Sequence, residues 1–158
     1  MKKFIPLLLV VLAGAAISNE PGEALENLID AFYEGDALAV ETGLSSKSIN
    51  MLSMMLMMIK MQPDQAAAEI SAELEIALTG DELLNWTTAD FIYVLISAPG
   101  ITDQLPMRED IEISGFDIQG DCSTVFLNIP DYPENVPIAM VLEGDDWKLG
   151  ESFLQSEL

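Results

Sequence analysis

The sequence predicts an α+β domain in which N-terminal helices pack on one face of a curved, antiparallel, four-stranded meander. Two observations predict this class. Apolar residues recur with helical spacing between residues 23 and 97, and they alternate with a period of two from Asp110 onward. Helices first and strands afterwards are typical of domains that segregate the two kinds of structure. The 158 residues suffice for one domain with a sizeable core.

Five helices are predicted from apolar spacing, caps and breakers. In the first, the apolar residues follow the i, i+3, i+4, i+7 pattern of one helix face, and Gly35 is expected to end it. This stripe consists of Leu25, Leu28, Ile29 and Phe32. The predicted helices cover 23–36, 36–44, Ser45 or Ser46 to about Met61 before Pro63, 64–78 with Asp64 as N-cap, and 87–97 with Thr87 and Asp90 as a capping box.

Four strands joined by short turns are predicted in the second half. In the first strand, a β-bulge at 114–115 keeps the apolar residues on both sides of it on one face. The unbroken apolar run of the third, 136–142, favours a central strand covered on both faces, with Pro137 tolerated near its start. The apolar positions are Ile111, Ile113, Phe116 and Ile118 in the first strand and Val125, Leu127 and Ile129 in the second, and the fourth strand covers 147–153.

The N-terminus has the form of a secretory signal peptide over residues 1–18. Two lysines precede an apolar run at 4–17, and the small residues Ala16 and Ser18 fit a cleavage site. The run is shorter than the about 20 apolar residues that span a bilayer, and an uncleaved membrane anchor is the alternative. We therefore expect an exported protein, periplasmic or extracellular, with a single domain over 19–158.

The charge of the chain excludes several classes of partner. The formal net charge is −21, and loss of Lys2 and Lys3 with the signal leaves four basic residues against 27 acidic ones, a net charge of −23. Nucleic acids and anionic membrane surfaces are bound chiefly through Lys and Arg, so neither is an expected partner of the mature chain. The carboxylates indicate a strongly solvated surface, and no segment matches a calcium-binding loop of the EF-hand type.

Histidine is absent and Cys122 is the only cysteine. An internal disulfide, a Ser-His or Cys-His nucleophile pair and the commonest zinc ligand are thereby excluded. Catalysis would have to depend on carboxylates and tyrosines, and no metal site or cofactor is predicted. Cys122 opens an apolar strand, which favours a buried thiol.

Two segments resemble the nuclear transport factor 2-like superfamily, also called SnoaL-like or cystatin-like, in its exported bacterial form. One is 31-AFYEGD-36 at the end of the first helix, and the other is 138-IAMVLEGDDWKLGES-152, with its Trp147-Lys148-Leu149 triplet. The order of the intervening elements fits as well, so the resemblance covers most of 23–153. It implies a cone, in which a strongly bent sheet wraps the first helix around a pocket, and a homodimer through the outer face of the sheet.

The same resemblance implies candidates for a catalytic site. Its enzymes, among them isomerases, dehydratases and cyclases, typically use a carboxylate base together with a tyrosine or histidine in the pocket. The candidates near the helical wall are Asp30, Tyr33, Asp90 and Tyr93. Asp30 lies off the apolar stripe of its helix and is expected to face water, and Tyr93 precedes 94-VLI-96, which is compatible with a core position.

The segment 49-INMLSMMLMMIKM-61 holds six of the nine methionines. At 100° per residue, Leu52, Leu56 and Ile59 form one apolar face, Ser53 and Lys60 form a polar strip, and the methionines fill the remaining arc. Three interpretations compete: core packing between the cone and the helix at 64–78, an adaptable contact for a ligand or partner, and a thioether site for copper(I). We expect them in that order.

The function predicted from these observations is non-catalytic binding of an apolar small molecule or a protein partner in the pocket of an exported domain. The first alternative is an isomerase- or cyclase-like enzyme that uses a carboxylate and a tyrosine, and the second is a methionine-rich copper(I)-binding protein. The predicted contact residues are Phe32, Met51, Met54, Met55, Met58, Met140 and Trp147.

Overall fold

The computed structural model describes residues 20–130, 132 and 134–150. The predicted signal peptide and positions 151–153 of the predicted fourth strand lie outside this range. Within it the α+β class is confirmed, because helices come first and a four-stranded antiparallel sheet follows. The helices are α1 (Pro21–Glu34), α2 (Ala37–Gly43), α3 (Ser46–Ile59), α4 (Pro63–Leu74), α5 (Gly80–Asn85), α6 (Thr88–Ser97) and α7 (Pro99–Thr102), followed by a 3-10 turn at Arg108–Asp110.

The predicted caps and stops of three helices are confirmed. Gly35 ends α1 in the left-handed conformation, with φ 71°. The side chain of Ser45 accepts a hydrogen bond from the backbone of Ser48 at the start of α3. Thr87 and Asp90 form the reciprocal capping box that begins α6.

The prediction for the segment between Pro63 and Trp86 is partly wrong. The helix α4 starts with Pro63 in its first turn, where the fixed φ of proline suits a helix, so Asp64 is not the N-cap. It ends at Leu74 rather than at 78, because Glu75 takes up a left-handed conformation with φ 56°. The separate helix α5 was missed, although Thr79 and Glu82 form the capping box that starts it.

The sheet has the order β1-β2-β3-β4, with strands at Glu112–Gln119, Cys122–Asn128, Val136–Glu143 and Asp146–Leu149. The predicted bulge is confirmed as a register shift between Ile113 and Gly115. The strongly bent sheet that the resemblance implies is not observed, since the sheet is open and not strongly curled. Among the described residues β1 and β4 are the outer strands of the sheet, and Leu149 at the end of β4 forms an isolated parallel bridge with Leu44. Helices and a loop supply the walls that a more curved sheet would provide.

The pairing register defines the inner face of the sheet. Ile113 pairs with Leu127, Phe116 with Val125 and Ile118 with Ser123, so the bulge keeps the apolar residues of β1 on one side. Ser123, Val125 and Leu127 are buried on this face. Because side chains alternate along a strand, Cys122 points to the opposite face and is exposed. The predicted burial of its thiol is therefore wrong.

The inner face of the sheet packs against α1, which contacts β1, β2 and β4. A second helical layer consists of α2, which contacts α1 and α6, and of α3, which contacts α6. The segment α4 contacts α5 and α7 instead. The core that joins these layers includes Leu25, Leu28, Leu52, Phe91, Ile92, Val125, Met140 and Trp147.

A buried hydrogen-bonded joint attaches the start of α3 to the end of β4. The backbone carbonyl of Leu149 accepts hydrogen bonds from the backbone of Ser45, at 3.0 Å, and from Oγ of Ser48, at 2.9 Å. Oγ of Ser45 donates to Oγ of Ser48 at 2.9 Å. Both serines are almost completely buried, so the hydroxyl of Ser45 depends on Ser48 as its acceptor, and the hydroxyl of Ser48 depends on the carbonyl of Leu149.

Replacing Ser48 by alanine is expected to lower the free energy of unfolding by about 1–3 kcal/mol, because the buried hydroxyl of Ser45 loses its acceptor. The matched control is Ser97→Ala on α6, whose exposed hydroxyl bonds only the carbonyl of Tyr93 and whose loss should change stability by less than about 0.5 kcal/mol. Urea denaturation of both variants measures the difference. Equal stability of Ser48→Ala and the unmodified protein would show that the joint contributes nothing.

Candidate functional site

An apolar cavity of about 810 Å³ lies between α1, the inner face of the sheet, α6 and the segment at 104–111. The predicted stripe of α1 forms one wall, since Leu25, Leu28, Ile29 and Phe32 all line it. The opposite wall comes from the sheet. The other apolar lining residues are Val40, Leu44, Leu52, Ile92, Leu95, Ile96, Leu105, Pro106, Ile111, Leu127, Ile129, Pro130, Ile138 and Leu149.

Few polar groups line this cavity, and most of them are exposed. Of its 22 described lining residues only Tyr33, Gln104, Asp110 and Tyr132 carry polar side chains. Gln104, Asp110 and Tyr132 are exposed, whereas Leu25, Ile96 and Leu127 are buried. The cavity thus has a polar mouth open to water and an apolar interior that reaches into the core.

The rim at 104–111 is fastened to α1 by two sets of contacts. The hydroxyl of Tyr33 donates to the backbone carbonyl of Pro106 at 2.8 Å. The guanidinium of Arg108 pairs with Asp30, Nε to Oδ1 2.5 Å, and with Glu26, Nη2 to Oε1 3.6 Å. Its Nη1 also donates to the carbonyl of Ile111 at 3.2 Å. These contacts hold an irregular segment in place as a wall of the cavity.

Tyr33 is the one predicted catalytic candidate that lines the cavity. Burial raises the pKa of its phenol above the usual value of 10.0, and the charge of Arg108 lowers it by a smaller amount. The phenol is therefore neutral at physiological pH. Its proton is already donated to Pro106, so towards a bound molecule the oxygen can act only as a hydrogen-bond acceptor.

The other three candidates lie outside the cavity lining. Asp30 is held by Arg108 on the solvent side of α1, as its place off the apolar stripe predicted. Hydrogen bonds from the side chain and backbone of Thr87 hold the pKa of Asp90 below its usual value, which suits its capping role. Tyr93 is 56% exposed and lines a shallow groove together with Asp90 and Val94, so it does not take the core position that its sequence context allowed.

Three of the predicted contact residues belong to the body of the domain. Phe32 lines the cavity, as a pocket residue should. Met140 and Trp147 are buried on the inner face of the sheet, within the hydrophobic core and outside the cavity lining. They pack between β3, β4 and the helices, which is the ordinary role of large apolar side chains on a covered face.

The methionines of α3 are mainly on the surface. Leu52 and Leu56 are buried, which confirms the apolar Leu/Ile face, while Met51 is half-buried. We call the exposed side chains the methionine face, which consists of Met54, Met55, Met57, Met58 and Met61, with 42–78% exposure. The interpretation of the methionine face as core is wrong, because α4 packs on α5 and α7 and does not cover it.

Sequence reasoning missed the rim at 104–111, although it supplies Gln104 and Asp110 to the mouth. This segment has neither a helical nor a strand period, so periodicity gives no signal there. The presence of Arg108 is the usable signal, since it is one of four basic residues in the predicted mature chain. A lone arginine among so many carboxylates is expected to form ion pairs that fix a segment.

In the part of the chain that the structure describes, no three or more His, Cys, Asp or Glu residues are grouped so as to hold a metal ion. In the same range, no helix has the length and apolar character needed to span a membrane. The copper(I) alternative, which depends on methionine sulfurs, stays a prediction from the sequence.

Comparisons of the chain with protein-family models, with curated proteins and with solved structures give no match. The resemblance to the nuclear transport factor 2-like superfamily therefore stays an interpretation of short motifs. The proposed function therefore rests on the geometry of the cavity and of the surface.

Proposed function

We propose that this protein is an exported binding protein that holds an apolar small molecule in the cavity between α1 and the sheet. The observation that carries the proposal is the cavity itself, of about 810 Å³ with an almost wholly apolar lining. Ligand sites are typically clefts of about 300 to 1,000 Å³ with apolar walls and a few polar groups. We propose that the cone implied by the resemblance is present without a strongly bent sheet, and that α6 and the rim at 104–111 form its side walls.

The apolar walls of the cavity support this proposal. Leu25, Leu127 and Leu149 are buried core residues and face this space. Apolar side chains gain dispersion energy from the atoms packed against them. A bound apolar molecule would pack against these residues, so it would also stabilise the folded state.

Binding is favoured over catalysis by the state of the polar groups. The enzyme alternative needs a carboxylate and a tyrosine that converge on a substrate, and the described lining has one carboxylate, Asp110, and two tyrosines, Tyr33 and the exposed Tyr132. The proton of Tyr33 is engaged by Pro106, and the raised pKa of this tyrosine opposes ionisation. Tyr33 is thus suited to orienting a ligand rather than to transferring protons.

Replacing Leu95 by tryptophan should block the cavity, because this half-buried side chain of α6 lines it. Binding of Nile red, a neutral apolar dye, is expected to weaken at least about tenfold, equivalent to 1.4 kcal/mol. The matched control is Val94→Trp, the neighbouring half-buried residue, which lies in the shallow groove with Tyr93. Fluorescence titration measures both affinities.

The control variant should bind the dye as the unmodified protein does. Equal loss in both variants would indicate damage to α6 rather than a blocked cavity. Absence of dye binding by the unmodified protein, together with absence of a co-purified ligand in native mass spectrometry, would contradict the proposed function.

A second candidate function, protein contact, is favoured by the methionine face, and we propose a second copy of the chain as its occupant. No acidic residue occurs between Glu41 and Asp64, although the chain contains 27. Two molecules of net charge −21 repel each other wherever carboxylates face carboxylates. The face of α3 is an extended surface on which two copies can meet without that repulsion.

The chemistry of the side chains fits such a contact. Met54, Met57 and Met58 have the i, i+3, i+4 spacing of one helix face and are 64%, 69% and 68% exposed. Contiguous apolar surface of this kind is costly in a monomer. Methionine side chains are flexible and adapt to a partner surface, so a pair of α3 helices could bury them without close shape complementarity. In this proposal the homodimer therefore forms through α3, and not through the outer face of the sheet as predicted from the resemblance.

Replacing Met57 by glutamate should abolish self-association, because the interface would then contain two buried carboxylates. The matched control is Leu38→Glu on α2, an apolar residue of similar exposure, 73%, which adds the same charge outside α3. Sedimentation velocity should show a concentration-dependent dimer for the unmodified protein and for Leu38→Glu, and a monomer for Met57→Glu. A monomer at all concentrations, or equal dissociation of both variants, would contradict the dimer.

A further inference from the structure

The mouth of the cavity is rich in hydrogen-bond acceptors and contains one carboxyl group. The oxygen of Tyr33 has donated its proton to Pro106 and retains lone pairs, and the carboxylate of Asp110 accepts only. Gln104 donates one Nε2 hydrogen to the carbonyl of Gly100 and offers its own carbonyl oxygen. The phenol of Tyr132 and the second Nε2 hydrogen of Gln104 are the neutral donors there. A ligand group placed among these atoms is held best if it donates.

Positive charge is missing from the same place. Among the described residues that line the cavity there is no lysine or arginine. Lys60 donates to the carbonyl of Trp86 at 2.6 Å, and Lys148 donates to the carbonyl of Thr42 at 2.8 Å. Lys47 is exposed on α3 and does not line the cavity.

Arg108 is the cation nearest to the rim, and it is occupied. Two carboxylates of α1, Asp30 and Glu26, and the carbonyl of Ile111 surround its guanidinium. Its charge reaches the phenol of Tyr33, but its guanidinium is paired with these carboxylates and does not line the cavity. An anionic head group at the mouth would meet Asp110 and the field of a chain with net charge −21, without an uncompensated cation in the lining.

We propose that the cavity selects apolar molecules whose polar end donates a hydrogen bond, a hydroxyl or an ammonium group, and excludes fatty-acid-like carboxylates. This inference rests on the proposed function and names the ligand class of that same site. The apolar chain lies along Leu28, Ile96 and Leu127, and the donor lies between Tyr33 and Asp110. Carboxylate-binding pockets ordinarily offer an arginine or lysine to the ligand, and this one offers a carboxylate.

The test uses three molecules with the same alkyl chain and different head groups: dodecanol, dodecylamine and dodecanoate. Displacement of Nile red from the unmodified protein by each molecule is measured at neutral pH and low salt. The concentrations stay below the micelle concentration of the amine and the carboxylate and below the solubility limit of dodecanol. Dodecanol is expected to bind at least about tenfold more tightly than dodecanoate, since one unfavourable charge contact at a partly exposed mouth is of this order. The amine distinguishes a hydroxyl-bearing ligand from an ammonium-bearing one.

The variant Asp110→Asn removes the carboxylate and should narrow the ratio of the dodecanol and dodecanoate affinities several-fold. The control Asp121→Asn makes the same charge change at the turn after β1, outside the cavity lining, and should leave the ratio unchanged. Dodecanoate binding as tightly as dodecanol, or an unchanged ratio in Asp110→Asn, would overturn this inference while the binding function stands. Failure of all three molecules to displace a bound dye would overturn the proposed site as well.

Discussion

The apolar stripe of α1 faces two layers that do not close on each other. On one side is the inner face of an open four-stranded sheet, and on the other are α2 and α6. A strongly curled sheet would fold over the helix, and a longer α6 would fill the gap. Neither occurs, so Leu28 and Leu127, both residues of the hydrophobic core, also line a space of about 810 Å³. The rim at 104–111 and the buried serine joint fix the edges of this space.

Polar interactions in this domain serve mainly to position apolar walls. The Ser45–Ser48 joint fixes Leu149 against α3, and the ion pairs of Arg108 fix the rim against α1. The scarcity of cations gives these contacts their specificity, since a single arginine cannot hold several alternative segments. The described lining of the cavity has one carboxylate and no lysine or arginine, and α3 has no acidic residue. The two proposed contacts, with a ligand at the cavity and with a second copy at α3, therefore differ in their electrostatics.

Local signals in the sequence predicted local structure well and tertiary exposure poorly. Gly35, Ser45 and the Thr87/Asp90 pair mark helix ends through contacts a few residues away, and the bulge near Ser114 follows from alternation alone. The surface position of Met57 depends on where α4 packs, and α4 contacts α5 and α7. The cavity was expected only through a resemblance, because an unfilled space is a property of several elements together. The rim at 104–111 has neither helical nor strand periodicity, so the sequence pattern did not predict it.

The central claim is that the apolar cavity, rather than the methionine face, receives the small molecule. Solution NMR of protein with isotope-labelled Ile, Leu and Met methyl groups, titrated with dodecanol, tests it directly. The account predicts saturable shifts of Leu25, Ile96 and Leu127, whose methyls face the cavity, with Met57 and Met58 unaffected at fixed protein concentration. Shifts confined to Met57 and Met58, with the cavity methyls unchanged, would contradict it.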